Sequence, residues 1–327
     1  MLEMRIGFLV VFLAGFSALA AVPANSEVPD SLQTSPLAEL FGAPQTFGSP
    51  KLSPDGKQMI FLQQDEAGVR VLRSLDFTTN EMFTIWPGLV DDFEVEWCEW
   101  ANETRLLCEF RALRQDQQRT VPLVEYFSMN ARGAEAHSLK ICGRTMDWLP
   151  EDPENVLVIC DGRGRAQRVN IFARGFVNYG HTRPNSDTLV SDGHGMVRLA
   201  RQKMDTERWY VQNNPDDRWE QFFRSRWQRF EDPFRPVGFG ENLDEVLHIA
   251  WNSGTWALFA KNLAVDFQDR LIFADSKVDV EQIDKLGAYD RAVAVTYLDG
   301  SPQQFVWDER IAAIQQIVSA SLPGREI

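Results

Sequence analysis

The chain has 327 residues, 44% of them hydrophobic, enough to bury a substantial core. It carries 33 Lys and Arg against 47 Asp and Glu, a net charge of −14. A phosphate-binding surface needs Lys and Arg in surplus, so no nucleic-acid partner is expected, and solubility is the plain meaning of the acidity.

Residues 1–24 read as a secretory signal peptide. Arg5 precedes an apolar run from Ile6 to Leu13, and small-residue cleavage patterns follow at Ala18-Leu19-Ala20 and Val22-Pro23-Ala24. The run falls short of the ~20 residues that span a bilayer. Cleavage is therefore expected, leaving an exported protein, periplasmic or extracellular, with no stable membrane anchor. Export makes the four cysteines, Cys98, Cys108, Cys142 and Cys160, candidates for disulfides. If a hairpin turns at Glu103, antiparallel partners sum to 206, which sets Trp100 opposite Leu106 and Cys98 opposite Cys108. Cys142 and Cys160 end two other apolar runs and form the second candidate pair. Buried, unreactive thiols are the alternative for all four. Their spacing is not that of metal ligands, and neither a metal nor a cofactor is expected.

Residues 25–46 form a polar, Pro-containing lead-in, with one helical turn over Leu37 to Phe41. Residues 47–327 read as propeller repeats. Ser53-Pro54-Asp55-Gly56-Lys57 suits a type I turn, with Pro54 second, Asp55 third and Gly56 fourth. The strand-length apolar run Gln58 to Leu62 follows it. Comparable turn-plus-run units recur, with Pro54, Ala101, Asp152, Asp192, Glu241 and Tyr289 as markers at separations of 47, 51, 40, 49 and 48. A repeat of that length built from short strands points to an all-β chain, a β-propeller of about six recognisable blades, in which stacking buries the two apolar faces of each blade. A β-sandwich is the alternative, and the spacing leaves open whether six blades close a ring. Over Asp308 to Leu322, Ile311, Ile314, Ile317 and Val318 recur at helical spacing, predicting a short C-terminal helix.

Catalytic signals are sparse. The chain has no G-x-S-x-G, P-loop or dinucleotide fingerprint. His194, between two glycines and beside Asp192, has the chemistry of a general base, although a solvated turn is the plainer reading. Paired carboxylates occur at Asp91-Asp92, Asp216-Asp217 and Glu151/Asp152/Glu154. One segment interleaves arginines with aromatics: Arg208, Trp209, Arg218, Trp219, Arg226 and Trp227. That mix is enriched at interfaces and makes the segment a candidate interaction surface. A connection packed against its own blade is the other reading.

The lead-in Pro36-Leu37-Ala38-Glu39-Leu40-Phe41-Gly42, the Ser-Pro-Asp-Gly-Lys turn and Trp100-Ala101-Asn102-Glu103-Thr104-Arg105-Leu106-Leu107 resemble the N-terminal propeller of exported peptidases of the prolyl oligopeptidase family. Ser191-Asp192-Gly193-His194-Gly195 and Leu322-Pro323-Gly324-Arg325 are similar to the same branch, that of dipeptidyl and acylaminoacyl peptidases. The resemblance covers about residues 35–327. It implies a propeller that caps an α/β-hydrolase domain and restricts which peptides reach a Ser-Asp-His triad. Propeller carboxylates in that branch can hold a peptide's free amine. The sequence reaches Ile327 without a hydrolase segment. The expectation is therefore a non-catalytic gating propeller, from a truncated or split family member, with a peptide ligand or a separately encoded hydrolase as partner. A stand-alone exported propeller that binds a peptide or protein is the alternative.

Overall fold

The computed structural model describes residues 47–65, 68–90, 92–116, 119–160, 164–226 and 234–321. The signal peptide, the lead-in, Asp91, Trp227 and the Leu322-Pro323-Gly324-Arg325 motif lie outside them. The described chain is a six-bladed β-propeller followed by one helix. Blade one holds β1 (Phe47–Leu52), β2 (Gln58–Gln64), β3 (Arg70–Asp76) and β4 (Glu81–Trp86). Blade two holds β5 (Glu94–Trp100), β6 (Arg105–Asp116), β7 (Arg119–Asn130) and β8 (His137–Leu139). Blade three holds β9 (Gly143–Asp147), β10 (Asn155–Cys160), β11 (Arg165–Asn170) and β12 (Gly175–Tyr179). Blade four holds β13 (Thr188–Ser191), β14 (Val197–Lys203), β15 (Thr206–Val211) and β16 (Glu220–Arg226). Blade five holds β17 (Arg235–Phe239), β18 (Glu245–Asn252), β19 (Thr255–Asn262) and β20 (Asp269–Phe273). Blade six has three strands, β21 (Val280–Leu286), β22 (Arg291–Asp299) and β23 (Ser301–Val306), and α1 (Glu309–Ser321) follows. Every sheet is an antiparallel meander of consecutive strands, so among the described residues no blade borrows a strand from elsewhere in the chain.

The second strand of each blade explains why the blades stack. Side chains alternate between the two faces of a strand, and here both faces are apolar. In β10, Val156 and Val158 pack toward blade two while Leu157 and Ile159 pack toward blade four. In β6, Leu106 serves the joint with blade one and Leu107 the joint with blade three. In β18, Val246 faces blade four and Leu247 faces blade six. Five buried clusters thus join blades one to six in succession, and among the described residues no such cluster joins blade six to blade one.

Polar links follow the same repeat. The carbonyl just after the third strand accepts a hydrogen bond from the preceding blade. Ser74 Oγ donates to Ala131 O at 2.6 Å, Arg105 Nη2 to Ile171 O at 3.3 Å, and Asn213 Nδ2 to Leu263 O at 3.4 Å. The turn beyond each third strand is held by an Asp or Asn that accepts backbone N–H groups, as Asp76, Asn130, Asn170 and Asn262 do. In the first hairpin, Gly56 donates its N–H to Ser53 O at 2.8 Å with φ at 69°. The Ser53 hydroxyl, with Lys57, holds the Asp55 carboxyl down to about 2.

The hairpin of blade two turns as its sequence suggests, pairing Trp100 with Leu106 and Cys98 with Cys108. A bulge between Val95 and Trp97 then shifts the register by one. Disulfides join Cys98 to Cys108 and Cys142 to Cys160. The first cross-links neighbouring strands and the second ties β10 to the segment just before β9. By loop-closure entropy each is worth about 3 kcal/mol. Asn102, in the Asn102-Glu103-Thr104 sequence, spends its side-chain amide on Pro153 O at 2.6 Å and accepts from the Thr104 and Arg105 N–H groups. Its amide nitrogen is therefore engaged in the folded protein.

In blade five, buried His248 places Nε2 2.7 Å from Asp269 Oδ1, and Lys261 Nζ lies 2.8 Å from the same oxygen. Desolvation opposes ionisation of Asp269, but the His248 and Lys261 donors together outweigh it and hold the carboxyl below its ordinary value. A lowered carboxylate pKa gives stability that is complete above the unfolded value of 3.8 and is lost as pH falls through the folded one. Thermal melts between about pH 5 and pH 2 are expected to show a steeper acid fall for the wild type than for Asp269→Asn. Parallel curves would rule the carboxylate out as a contributor.

Candidate functional site

First strands of neighbouring blades adjoin, as β9 and β13 do and as β1 and β5 do. Those of blades three, four and five, with the first hairpin of blade six, enclose a central cavity of about 590 Å³. It falls within the 300–1,000 Å³ range of ligand pockets. Apolar and aromatic side chains form much of the wall, among them Trp148, Val190, Phe234, Phe239 and Tyr289.

Two turns line one end of the cavity. The β13–β14 turn of blade four meets the β21–β22 turn of blade six, although blade five stands between these blades in sequence. His194 stacks on Tyr289 with ring centroids 4.4 Å apart. Gly193 has φ of 80°, and a Cβ there would overlap the Tyr289 carbonyl oxygen. From blade three, Glu151 Oε1 comes within 3.6 Å of His194 Nδ1. Asp192 and Tyr289 line both this cavity and a second one of about 470 Å³, which Ile311 and Ile314 of α1 border on its far side. The turn contact is thus the partition between the two.

The carboxylates of the partition serve the fold. Asp147, almost fully buried, accepts hydrogen bonds from the Ser191 hydroxyl, Leu149 N and Gly195 N. Asp192 accepts from the backbone N–H groups of His194 and Met196, and burial raises its carboxyl above the ordinary value against those bonds. Arg198 reaches Asp192 at 4.0 Å while donating to Gln212 O and Asn213 Oδ1. The Ser191 hydroxyl therefore donates its hydrogen bond to a carboxylate, and His194 faces Glu151 and Tyr289. A nucleophile needs a base within hydrogen-bond reach of its hydroxyl and a donor pair for the oxyanion. The Ser191 hydroxyl is bonded to Asp147 and not to an imidazole.

The other residues singled out in the sequence are dispersed. Trp209, in β15, is 1% exposed and belongs to the blade four–five core, while Arg208 beside it donates to Thr206. Trp219 is half-buried against the blade three–four core, and Arg218 and Arg226 are exposed. The β15–β16 register sets Trp209 opposite Phe223 and Arg208 opposite Arg224, while Arg218 and Trp219 precede β16. Asp217 caps its own turn through Asn214. Asp152 pairs with Arg168 at 3.1 Å and holds Asn155. Among the described residues no group of three or more His, Cys, Asp or Glu is arranged to hold a metal ion.

Sequence analysis did not single out the cations around this cavity: Arg144, Arg201, Lys203, Arg235 and Lys285. They come from four blades, and only the repeat topology brings them together.

No family model and no curated protein matches the sequence. Solved structures do match the fold. Prolyl oligopeptidase B from Galerina marginata, bound to a 35mer hydrolysis and macrocyclization substrate, aligns at 10% identity and a TM-score of 0.51, over 80% of this chain and 42% of that one. An acylaminoacyl peptidase in complex with Z-Gly-Gly-Phe-chloromethyl ketone aligns at 13% identity and 0.48, over 82% and 46%. The β-propeller domain of the Trilobed protease from Pyrococcus furiosus, with an open velcro topology, aligns at 13% identity and 0.46, over 82% and 84%. The likeness is to propeller domains of prolyl oligopeptidase-family peptidases. This chain spans less than half the length of the first two and most of the third. At such identities the likeness concerns the fold. The described residues form a propeller, with no α/β-hydrolase domain among them.

Proposed function

We propose that this chain is a non-catalytic propeller that holds or screens peptides in its central cavity, and that a hydrolase domain supplied separately carries out any cleavage. The observation behind this reading is the 590 Å³ cavity, walled by first strands and partitioned at one end by the 193–289 contact. An extended peptide fits a space of that size in the mouth of a propeller better than a folded protein does. Export of the mature chain, freed of residues 1–24, accords with the Arg5-led apolar segment and with two disulfides, which persist in oxidising compartments.

The purified chain is expected to leave chromogenic dipeptide substrates intact while binding short peptides, followed by the part of its tryptophan fluorescence change that Trp148→Phe removes. Turnover that a serine-directed reagent abolishes would sink the non-catalytic reading. A second reading, a stand-alone binding propeller, is favoured by the way each blade is built, among the described residues, from consecutive strands. A cooperative melt and a compact monomer on size-exclusion chromatography would support it. Recovery of soluble protein only with a co-expressed hydrolase would favour the split-enzyme reading.

A further inference from the structure

We infer that the mouth of the central cavity opposite the turn partition is an anion site, and that the peptide it takes is acidic. The inference rests on the peptide-holding reading above and adds the ligand class to it.

Strand direction places the cations. In an antiparallel hairpin the start of the first strand and the end of the second lie at the same end, away from the turn. Arg144 is at the start of β9, and Arg235 opens β17. Arg201, opposite Thr188 at the start of β13, and Lys203 close β14. Four cations from three successive blades thus gather at one mouth of a chain whose net charge is −14.

Two of these guanidiniums, those of Arg144 and Arg235, have no carboxylate partner among the described residues. Exposed Arg144 has no hydrogen-bond or ion-pair partner among the described residues. Arg235 lies over the Trp256 ring at 4.2 Å, a contact that leaves its in-plane N–H groups without an acceptor. Arg201 pairs with Asp187 at 3.0 Å. Among the described carboxylates of the cavity, Glu207 alone stands at this end, opposite Lys203 in the register, and each of them is already engaged. Asp147 is buried on hydroxyl and backbone donors, Glu207 is 5% exposed and accepts from Trp209 Nε1 at 2.6 Å, and Asp290 pairs with Lys285. At the same end of blade two, Glu94 and Glu96 are matched by Arg70 and Arg111, so the surplus is confined to blades three to five. An entering chain therefore meets guanidinium donors first and aromatic wall deeper in, which suits a peptide carrying carboxylates beside apolar side chains. Guanidinium–carboxylate bonds are the strong, orienting ones, and cations at a cavity mouth also speed the encounter.

The test uses the full chain and three labelled, N-acetylated hexapeptides in which alanine alternates with glutamate, glutamine or lysine, read by fluorescence anisotropy. The glutamate peptide is expected to bind about tenfold more tightly than the glutamine one, with an advantage that shrinks as salt rises. Arg144→Gln is expected to weaken the glutamate peptide about tenfold and to leave the glutamine peptide unchanged. Arg235→Gln is the second variant, with its melting temperature measured in parallel. Equal affinity for the glutamate and glutamine peptides would overturn the anion site while leaving the peptide reading intact. Binding of none of the three would overturn both. A glutamate preference indifferent to both substitutions would move the site elsewhere. Tighter binding of an oligouronate of equal charge would overturn the peptide assignment.

Discussion

Replacing Arg105 by leucine is expected to lower the stability of the propeller by about 3 kcal/mol. The side chain is 2% exposed and sits in the joint between blades two and three. Its Nε donates to Ser128 Oγ at 3.2 Å, Nη1 to Glu135 Oε2 at 3.1 Å, and Nη2 to the carbonyls of Glu135 and Ile171 at 3.2 and 3.3 Å. The guanidinium also lies 5.0 Å from the Phe172 ring centroid. The ion pair is the lesser part, because Glu135 is largely exposed and solvent screens it. The larger part is the set of acceptors that leucine would strand without water, at about 1 kcal/mol each. Lysine keeps the charge but not the fork, so Arg105→Lys is expected to fall between wild type and leucine. Urea denaturation of the three proteins provides the comparison. A leucine variant within about 0.5 kcal/mol of wild type would mean that the joint is held by its apolar cluster alone.

How much of this architecture could be read in the sequence depended on which side of a strand meets water. The second strands stand out as near-continuous apolar runs, Val156 to Cys160 or Val246 to Ile249, because each is buried on both faces. The turns before them stand out because Pro54, Asp55 and Gly56 have strong conformational preferences. Together these were enough for the repeat and the number of blades. Apart from β5, which the Glu103 hairpin revealed, the first strands were harder to see. Arg235-Pro236-Val237-Gly238-Phe239 contains a proline and a glycine that argue against a strand. Its polar residue faces a cavity that no local pattern announces. The units of blades one, four, five and six were therefore read as beginning at the turn, whereas the structure begins each of those blades one strand earlier. The same concealment explains the missed cations. Arg144, Arg201 and Arg235 share a place in the repeat, the end of a blade away from its first turn, and only the strand register exposes that equivalence. The arginine–aromatic segment erred the other way. It looked distinctive as a string, yet the fold divided it between core and solvent, leaving Trp209 buried and Arg226 outside.

The partition of the cavity yields the other large expected effect. Gly193→Ala is expected to cost about 3 kcal/mol, of which ~1 comes from holding alanine at a φ of 80° and ~2 from pressing its Cβ into the Tyr289 carbonyl. Gly56→Ala separates the two contributions. Gly56 sits at a φ of 69° in the matching turn of blade one with nothing near the position of a Cβ, so its cost should stop at about 1 kcal/mol. The difference between the variants measures the blade four–six contact. Two parts of the fold could yield to the overlap, and they leave different traces. If the packing of the blades gives way, the melting temperature drops and peptide affinity follows only through loss of folded protein. If the turns part instead, stability stays near that of Gly56→Ala while His194 leaves Tyr289, and the main cavity opens into the one bordered by α1. Peptides too long for the closed cavity would then gain affinity. Equal costs for the two glycines, with no change in the length of peptide accepted, would mean that the two turns touch without separating anything.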